Sequence, residues 1–449
     1  MNRTTLVYAA LVSLFTPAVA SAQAHEAVLA GHAVLPAKTF IQAPHDAPET
    51  LRYSGKFTTS SRVENPESIE GKSDKRPTGV FLPFDGQPVQ GHSGIQRMND
   101  GSYWVLTDNG AGSKANSPDF ILHLSQYRID FKSGRFHKQR TVFLHDPDKK
   151  IPFHITHEAT GNRYLTGADL DPESFQIIGN RIWIGEEFGP YLIEADLNGK
   201  IINLYETQIG GRTIMSPDHH AVRTPAAPTE KITFQAKRSK GYEGMAASPD
   251  GKRLYPMLEG PLWDESKNAY ENSAGKTYLR ILSFDTHRKE WGKETWRYPL
   301  EHPDHAIGDF NMIDNERALV IERDNGEGVT EYACKNQTDT ARCFNNLPKF
   351  KRVYLIRLNQ KNAGGFVEKL GYVDLLNIQD PDRISKKPLS GGKFVFPFFT
   401  IENVDIADNE HIIVGNDNNL PFSSSRLPNQ ADDNEMILLK VPGLLSLGK

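Results

Sequence analysis

The stretch EGMAASPDGKRLYPMLE, residues 243–259, holds two short apolar runs joined by Ser-Pro-Asp-Gly-Lys and carries a glutamate at either end. Gly and Asp reach the backbone angles of hairpin turns at little cost, so the segment reads as two antiparallel strands with both acids at the open end. The midpoint between Glu243 and Glu259 falls on Gly251, inside the turn. The same design recurs in both directions along the chain. Units that begin at Ser93, Glu173, Asp309 and Glu402 end on Asp108, Glu186, Glu322 and Asp417, and their midpoints fall at Asp100-Gly101, Gly179-Asn180, Asn315-Glu316 and Asn409-Glu410.

Short runs rich in Ile, Val, Tyr, Phe and Trp dominate residues 90–441, with almost no helical periodicity, so the chain is read as all-β. Repeats of this length hold about four strands each, which is the content of a β-propeller blade. Five repeats are counted, and the ring is expected to have five or six blades, a sixth lying in 207–242 or 375–401. Only Met436–Val441 follows the last hairpin, so a strand from within residues 27–57 is expected to complete that blade and close the ring.

Residues 1–22 read as an export signal, with Arg3, an apolar Leu6–Phe15 and a small-residue Ala20-Ser21-Ala22 cleavage site. Residues 23–449 are then expected to form a single propeller domain, exported to the periplasm or beyond the cell. No later stretch approaches the roughly 20 apolar residues of a membrane-spanning helix. With 52 basic and 56 acidic residues and no cationic run, neither nucleic acid nor an anionic membrane is an expected partner. Cys334 and Cys343 are close enough in sequence to pair in an oxidising compartment, the alternative being two free thiols.

In regular hairpins the first and last residues of each unit face one another, with Cβ atoms about 5 Å apart. Directly opposed carboxylates repel unless a cation or a shared proton lies between them. Glu173, Glu186, Glu243, Glu259, Asp309, Glu322, Glu402 and Asp417 are therefore expected to bind a metal at one common mouth. An all-oxygen donor set favours calcium, and Asn109, Asn416, Asn418 and Asn419 add side-chain carbonyls nearby. EF-hand spacing is absent.

Arg323 and Lys240 are placed to steady a phosphate among these acids, although Arg323 can equally ion-pair with Asp324 or a neighbouring glutamate. His92, beside the first hairpin head, is the candidate for proton transfer, with Asp108 close to it in the catalytic set. His154/His157 and His302/His305 are spaced by three on no recognisable helix. Gly91-His92-Ser93-Gly94 is not GxSxG and lacks the strand-turn-helix elbow, so metal-assisted attack by water is preferred over a serine nucleophile.

The motifs GHSGI with LTDNG, TGADLDPESF with GEEFGP, KGYEGMAASPDGKRLYPMLEGPL, DFNMID with LVIERDNG, and IENVDIAD with VGNDNN together resemble the bacterial phytase-like, or esterase-like activity of phytase, family. The resemblance runs from about Gly79 to Val441 and implies a β-propeller acting on phosphoric or other esters. Ser174 and Asn403 stand where glycine is common in such sequences, and His92 where leucine is. The resulting expectation is a calcium-dependent phosphoric ester hydrolase acting on a small molecule. A metal-dependent lactonase or carboxylesterase, and a non-catalytic binding propeller, are the alternatives.

Overall fold

A computed structural model of the chain describes residues 22–227, 231, 233–336 and 340–449, so the export signal at 1–22 lies outside the described residues except for its last position. Five radial sheets carry the fold. Blade 1 is built from His92–Arg97, Tyr103–Thr107, His123–Asp130 and Arg135–Phe143, and blade 2 from Pro172–Ile178, Arg181–Glu186, Tyr191–Asp196 and Ile201–Glu206. Blade 3 contains Gly244–Ala247, Arg253–Met257, Lys276–Ile281 and Trp296–Pro299. Blade 4 contains Ala306–Met312, Arg317–Arg323, Lys351–Arg357 and Glu368–Asp374.

Blade 5 joins the two ends of the chain. Ile401–Ile406, His411–Asn416 and Asn434–Lys440 form its inner strands, and Val28–Leu35 pairs antiparallel with Asn434–Lys440 as the outermost one. Just before it, Gln23–His25 adds a parallel strand to the outer edge of blade 4. The stretches 207–242 and 375–401 hold only a two-strand ribbon and isolated bridges, so no sixth blade occurs among the described residues.

Blade 4's second strand, Arg-Ala-Leu-Val-Ile-Glu-Arg, shows why the middle of such a strand is apolar at successive positions. All of its residues are buried. Alternate side chains point to opposite faces of a strand. Ala318 and Val320 accordingly pack with blade 3, while Leu319 and Ile321 pack with blade 5. Blade 5 in turn meets blade 1 through Ile413 and Met436 against Ile95, Val105 and Tyr127. Each fully buried aliphatic side chain in these layers contributes about 1.5–3 kcal/mol.

Polar side chains bind the innermost strands together along the axis. Asp405 accepts the Arg97 amide at 2.7 Å, joining blades 5 and 1. Asn311 donates to the carbonyls of Ile95 and Val404 and accepts from Gln176, which also donates to Met245 O. Cys334 and Cys343 form the expected disulfide. No helix among the described residues is long and apolar enough to cross a membrane.

Candidate functional site

The acids gather at one mouth of the axis, but not through regular hairpins. A β-bulge interrupts the innermost strand pair in blades 1, 2, 4 and 5. In blade 2, Ser174 faces Gly185 but Pro172 faces Glu186, which leaves Glu173 as the unpaired residue. Blade 5 repeats this, Asn403 facing Gly415 and Ile401 facing Asn416, so Glu402 is unpaired. A bulge re-aims the extra side chain. The expected opposition of Glu173 to Glu186, and of Glu402 to Asp417, is thereby corrected by one residue.

Beyond the blade 2 bulge the next opposed pair is Asp171 and Glu187, the Glu187 amide donating to Asp171 O at 3.0 Å. Sequence reading missed both. Adjacent residues of a strand face opposite ways, so choosing Glu186 over Glu187 depended on a register that the bulge changes. In blades 1 and 3 the acids oppose glycines: Asp108 N donates to Gly91 O, and Glu259 N to Gly241 O. Both glycines are sterically required. A Cβ on Gly91 would lie 2.2 Å from Asp108 Oδ1, and one on Gly241 would lie 2.4 Å from the Cα of Glu187.

Two sets of three carboxylates, Asp171–Glu173–Glu187 and Glu187–Glu243–Glu259, each have ligand oxygens within 4.8 Å of one another, and they share Glu187. Glu402 and Asp108 interact electrostatically with this group, and Asp417 with those two. Most of the eight are buried; Glu173 and Asp108 are partly open. Burial, followed by the charge of Asp171, pushes Asp108 up to about 8. Burial and then Glu186 push Asp171 up to about 7. Glu173, Glu187, Glu243 and Asp417 are raised well above the carboxylate range, first by burial and then by neighbouring acids. Oε1 of Glu243 is buried without a hydrogen-bond partner.

Two cations stand among them. Lys240 Nζ contacts Glu259; burial opposes its charge, but Glu259 and Glu187 outweigh burial and raise the ammonium. Arg323 Nη2 donates to Glu402 Oε1 at 3.3 Å, while its buried Nε has no partner. Arg323, Lys240 and Glu259 line a cavity of about 330 Å³ together with His305 and Phe399. Ser93 Oγ donates to Glu402 Oε2 at 3.0 Å, which makes it a support for that acid.

Four expected site residues are engaged otherwise. Glu186 accepts the amides of Phe188, Gly189 and Tyr191, shaping the loop that follows. Asp309 staples blades, accepting the amides of Ile95, Val404 and Phe310. Glu322 is saturated by Tyr298 Oη, the Glu301 amide, His305 Nδ1 and Lys369 Nζ. The His92 ring is wholly buried beside Tyr127, with neither nitrogen hydrogen-bonded. Burial, then the nearby His123, lowers it to about 3, so it is neutral.

A second cluster joins Glu206, His219 and His220. Nε2 of each histidine lies 3.6–3.8 Å from Glu206 Oε1. The Ala221 amide donates to His219 Nδ1 at 3.0 Å, so the neutral His219 carries its proton on Nε2, facing Glu206. At 3.6 Å from Glu206 that N–H has no hydrogen-bond partner, and the tautomer offers no lone pair to a metal.

An uncharacterized secreted protein of Arthroderma benhamiae is 27% identical over 128 residues, 26% of this chain and 24% of that protein. This chain therefore spans about a quarter of that relative. The solved structure of a luciferin-regenerating enzyme matches at TM-score 0.31 and 9% identity, covering 79% of this chain and 92% of that one. The periplasmic gluconolactonase of Pseudomonas aeruginosa matches at TM-score 0.29 and 12% identity, over 87% of this chain and 99% of the other. The model of the phytase-like family, described as esterase-like activity of phytase, matches residues 87–420, and the chain belongs to that family.

Proposed function

We propose that this protein is an exported, calcium-dependent ester hydrolase acting on small phosphoric esters. The observation that carries the reading is the buried acid group, in which five carboxylates from blades 2 and 3 converge and Glu243 Oε1 has no protein partner. Buried like charges at this separation call for a cation or for protons. Asp171, Glu173, Glu187, Glu243 and Glu259 fit a hard divalent ion, because every donor is a carboxylate oxygen. Bound there, calcium would supply Lewis-acid polarisation of the ester oxygen.

The chain's own groups do the rest. Arg323, which lines the cavity, binds the anionic ester oxygens, and Lys240 holds Glu259 in place. Phe399 closes the cavity beside the Arg323 guanidinium, 5.7 Å from its ring centre. The expected result is turnover of a phosphomonoester in calcium and its loss in chelator; activity unaffected by chelation contradicts the proposal. A carboxylic ester or lactone is the second reading, favoured by the engagement of both cations with acids. It predicts that Arg323→Ala leaves turnover intact.

A further inference from the structure

His305 sits on the loop into blade 4 and lines the same 330 Å³ cavity as Glu259, Lys240 and Arg323. Its Nδ1 lies 2.9 Å from Glu322 Oε1, and its ring lies 4.2 Å from that of Phe350. Glu322 is buried and receives four donors. Burial alone would raise Glu322, but the His305 hydrogen bond and the Lys369 ammonium outweigh it and keep the group a carboxylate. A carboxylate accepts only, so the His305 proton sits on Nδ1 and the Nε2 lone pair is left for the cavity. Charged groups around His305 include Glu259, Lys240, Lys237 and Arg323 across the cavity, Glu301, His302 and Asp304 on its own loop, and Arg352 on the far side of Phe350.

We propose that His305, oriented by Glu322, is the proton-transfer residue of ester hydrolysis at this cavity, an assignment that rests on the hydrolase reading above. Nε2 takes a proton from water as the water oxygen bonds to the phosphorus or carbonyl carbon. The bond from that atom to the alkoxy oxygen then breaks, and the proton on Nε2 passes to the departing alkoxide. Acid and alcohol result, and the imidazole returns to its neutral form. Glu322 stays ionised throughout and stabilises the transient imidazolium, the role a buried carboxylate plays behind a catalytic histidine.

The test compares wild type with His305→Gln and His305→Asn, in calcium, on 4-nitrophenyl and methyl esters of phosphate and butyrate. General acid–base catalysis contributes about 10²–10⁴-fold. Loss of at least about 100-fold in kcat/KM on the methyl ester is expected. The 4-nitrophenyl ester, whose leaving group needs no proton, loses only the deprotonation of water and should fall by several-fold less than the methyl ester, and the pH profile should change. The calcium-induced rise in Tm should be unchanged. Equal losses on both esters with an unmoved pH profile, or no loss at all, overturn the assignment to His305 while leaving the hydrolase reading intact. A wild type that turns over none of the esters overturns both.

Discussion

Replacing Glu243 by glutamine should raise stability without calcium and diminish the stabilisation that calcium brings. Its ligand oxygen lies within 4.8 Å of those of Glu187 and Glu259. At an effective dielectric constant of 20, two unit charges at that distance repel by about 3 kcal/mol. Partial protonation relieves some of this in the metal-free protein, so the gain from one neutralised pair, on the order of 3 kcal/mol at pH 8, is the relevant scale. Glutamine is isosteric, and its amide can donate to the carboxylates that crowd it. Metal-free Glu243→Gln should therefore melt above metal-free wild type. In excess calcium that lead should shrink by at least about 1.4 kcal/mol, because loss of one charged ligand weakens binding by at least about tenfold. Thermal unfolding at pH 8, with chelator and across a calcium titration, gives the four values needed. A variant that melts below wild type in chelator, with an undiminished calcium response, refutes the argument that these acids repel one another across a cation site.

Asp309→Ala strands three buried amides, at about 1–3 kcal/mol each, and should cost at least about 3 kcal/mol in urea unfolding while leaving the calcium-induced Tm shift unchanged. A lost calcium response would place Asp309 back among the ligands. Glu435 is fully buried against Arg426 and His32; burial would raise it, but Arg426 and His32 hold it at about 2. Its folded value lies below its unfolded one, so its stabilisation is complete above about pH 4.5 and is lost as the pH falls toward 2, a change of about 3 kcal/mol that Glu435→Gln should not show in acid titrations. His92→Phe should keep both turnover and the calcium response, and gain about 1 kcal/mol by removing two unsatisfied buried nitrogens. Lost turnover in a folded His92→Phe would restore His92 to the site.

What could be read from the sequence, and what could not, divides at the bulges. The apolar runs and turns specified five hairpins, because a strand packed on both faces is apolar at successive positions, as Ala318–Ile321 is within Arg317–Arg323. Turn residues located the tips correctly because a tight turn makes local demands on residue type: Gly101, Gly179 and Gly251 take positive φ in blades 1 to 3, and Asp314 and Asp408 accept turn amides in blades 4 and 5. The open ends obey no such local rule. Gly94, at φ +81°, marks the bulge of blade 1, but Ser174 and Asn403 follow the bulged acids of blades 2 and 5 and give no glycine signal. Their side chains are used instead, Ser174 Oγ donating to Tyr242 O and Asn403 Nδ2 to His92 O. Each such bond fixes a bulge to the neighbouring blade, a contact made some 70 to 310 residues away in the chain.

This explains why the acidic character of the mouth could be foreseen while several of its members could not. A one-residue change of register exchanges Glu186 for Glu187 and brings in Asp171, so that an acid expected at the centre becomes a loop anchor and its neighbour becomes the residue shared by both carboxylate sets. Regular hairpins would have left each pair of acids within its own blade. By freeing Glu173 and Glu402 from the ladder, the bulges let acids of blades 2, 3 and 5 interact across blade boundaries. Repulsion among them is then a property of the assembled ring and not of any hairpin. A cation bound at this mouth would accordingly favour the docking of blades 2 and 3, whose carboxylates make up both sets, over either blade alone.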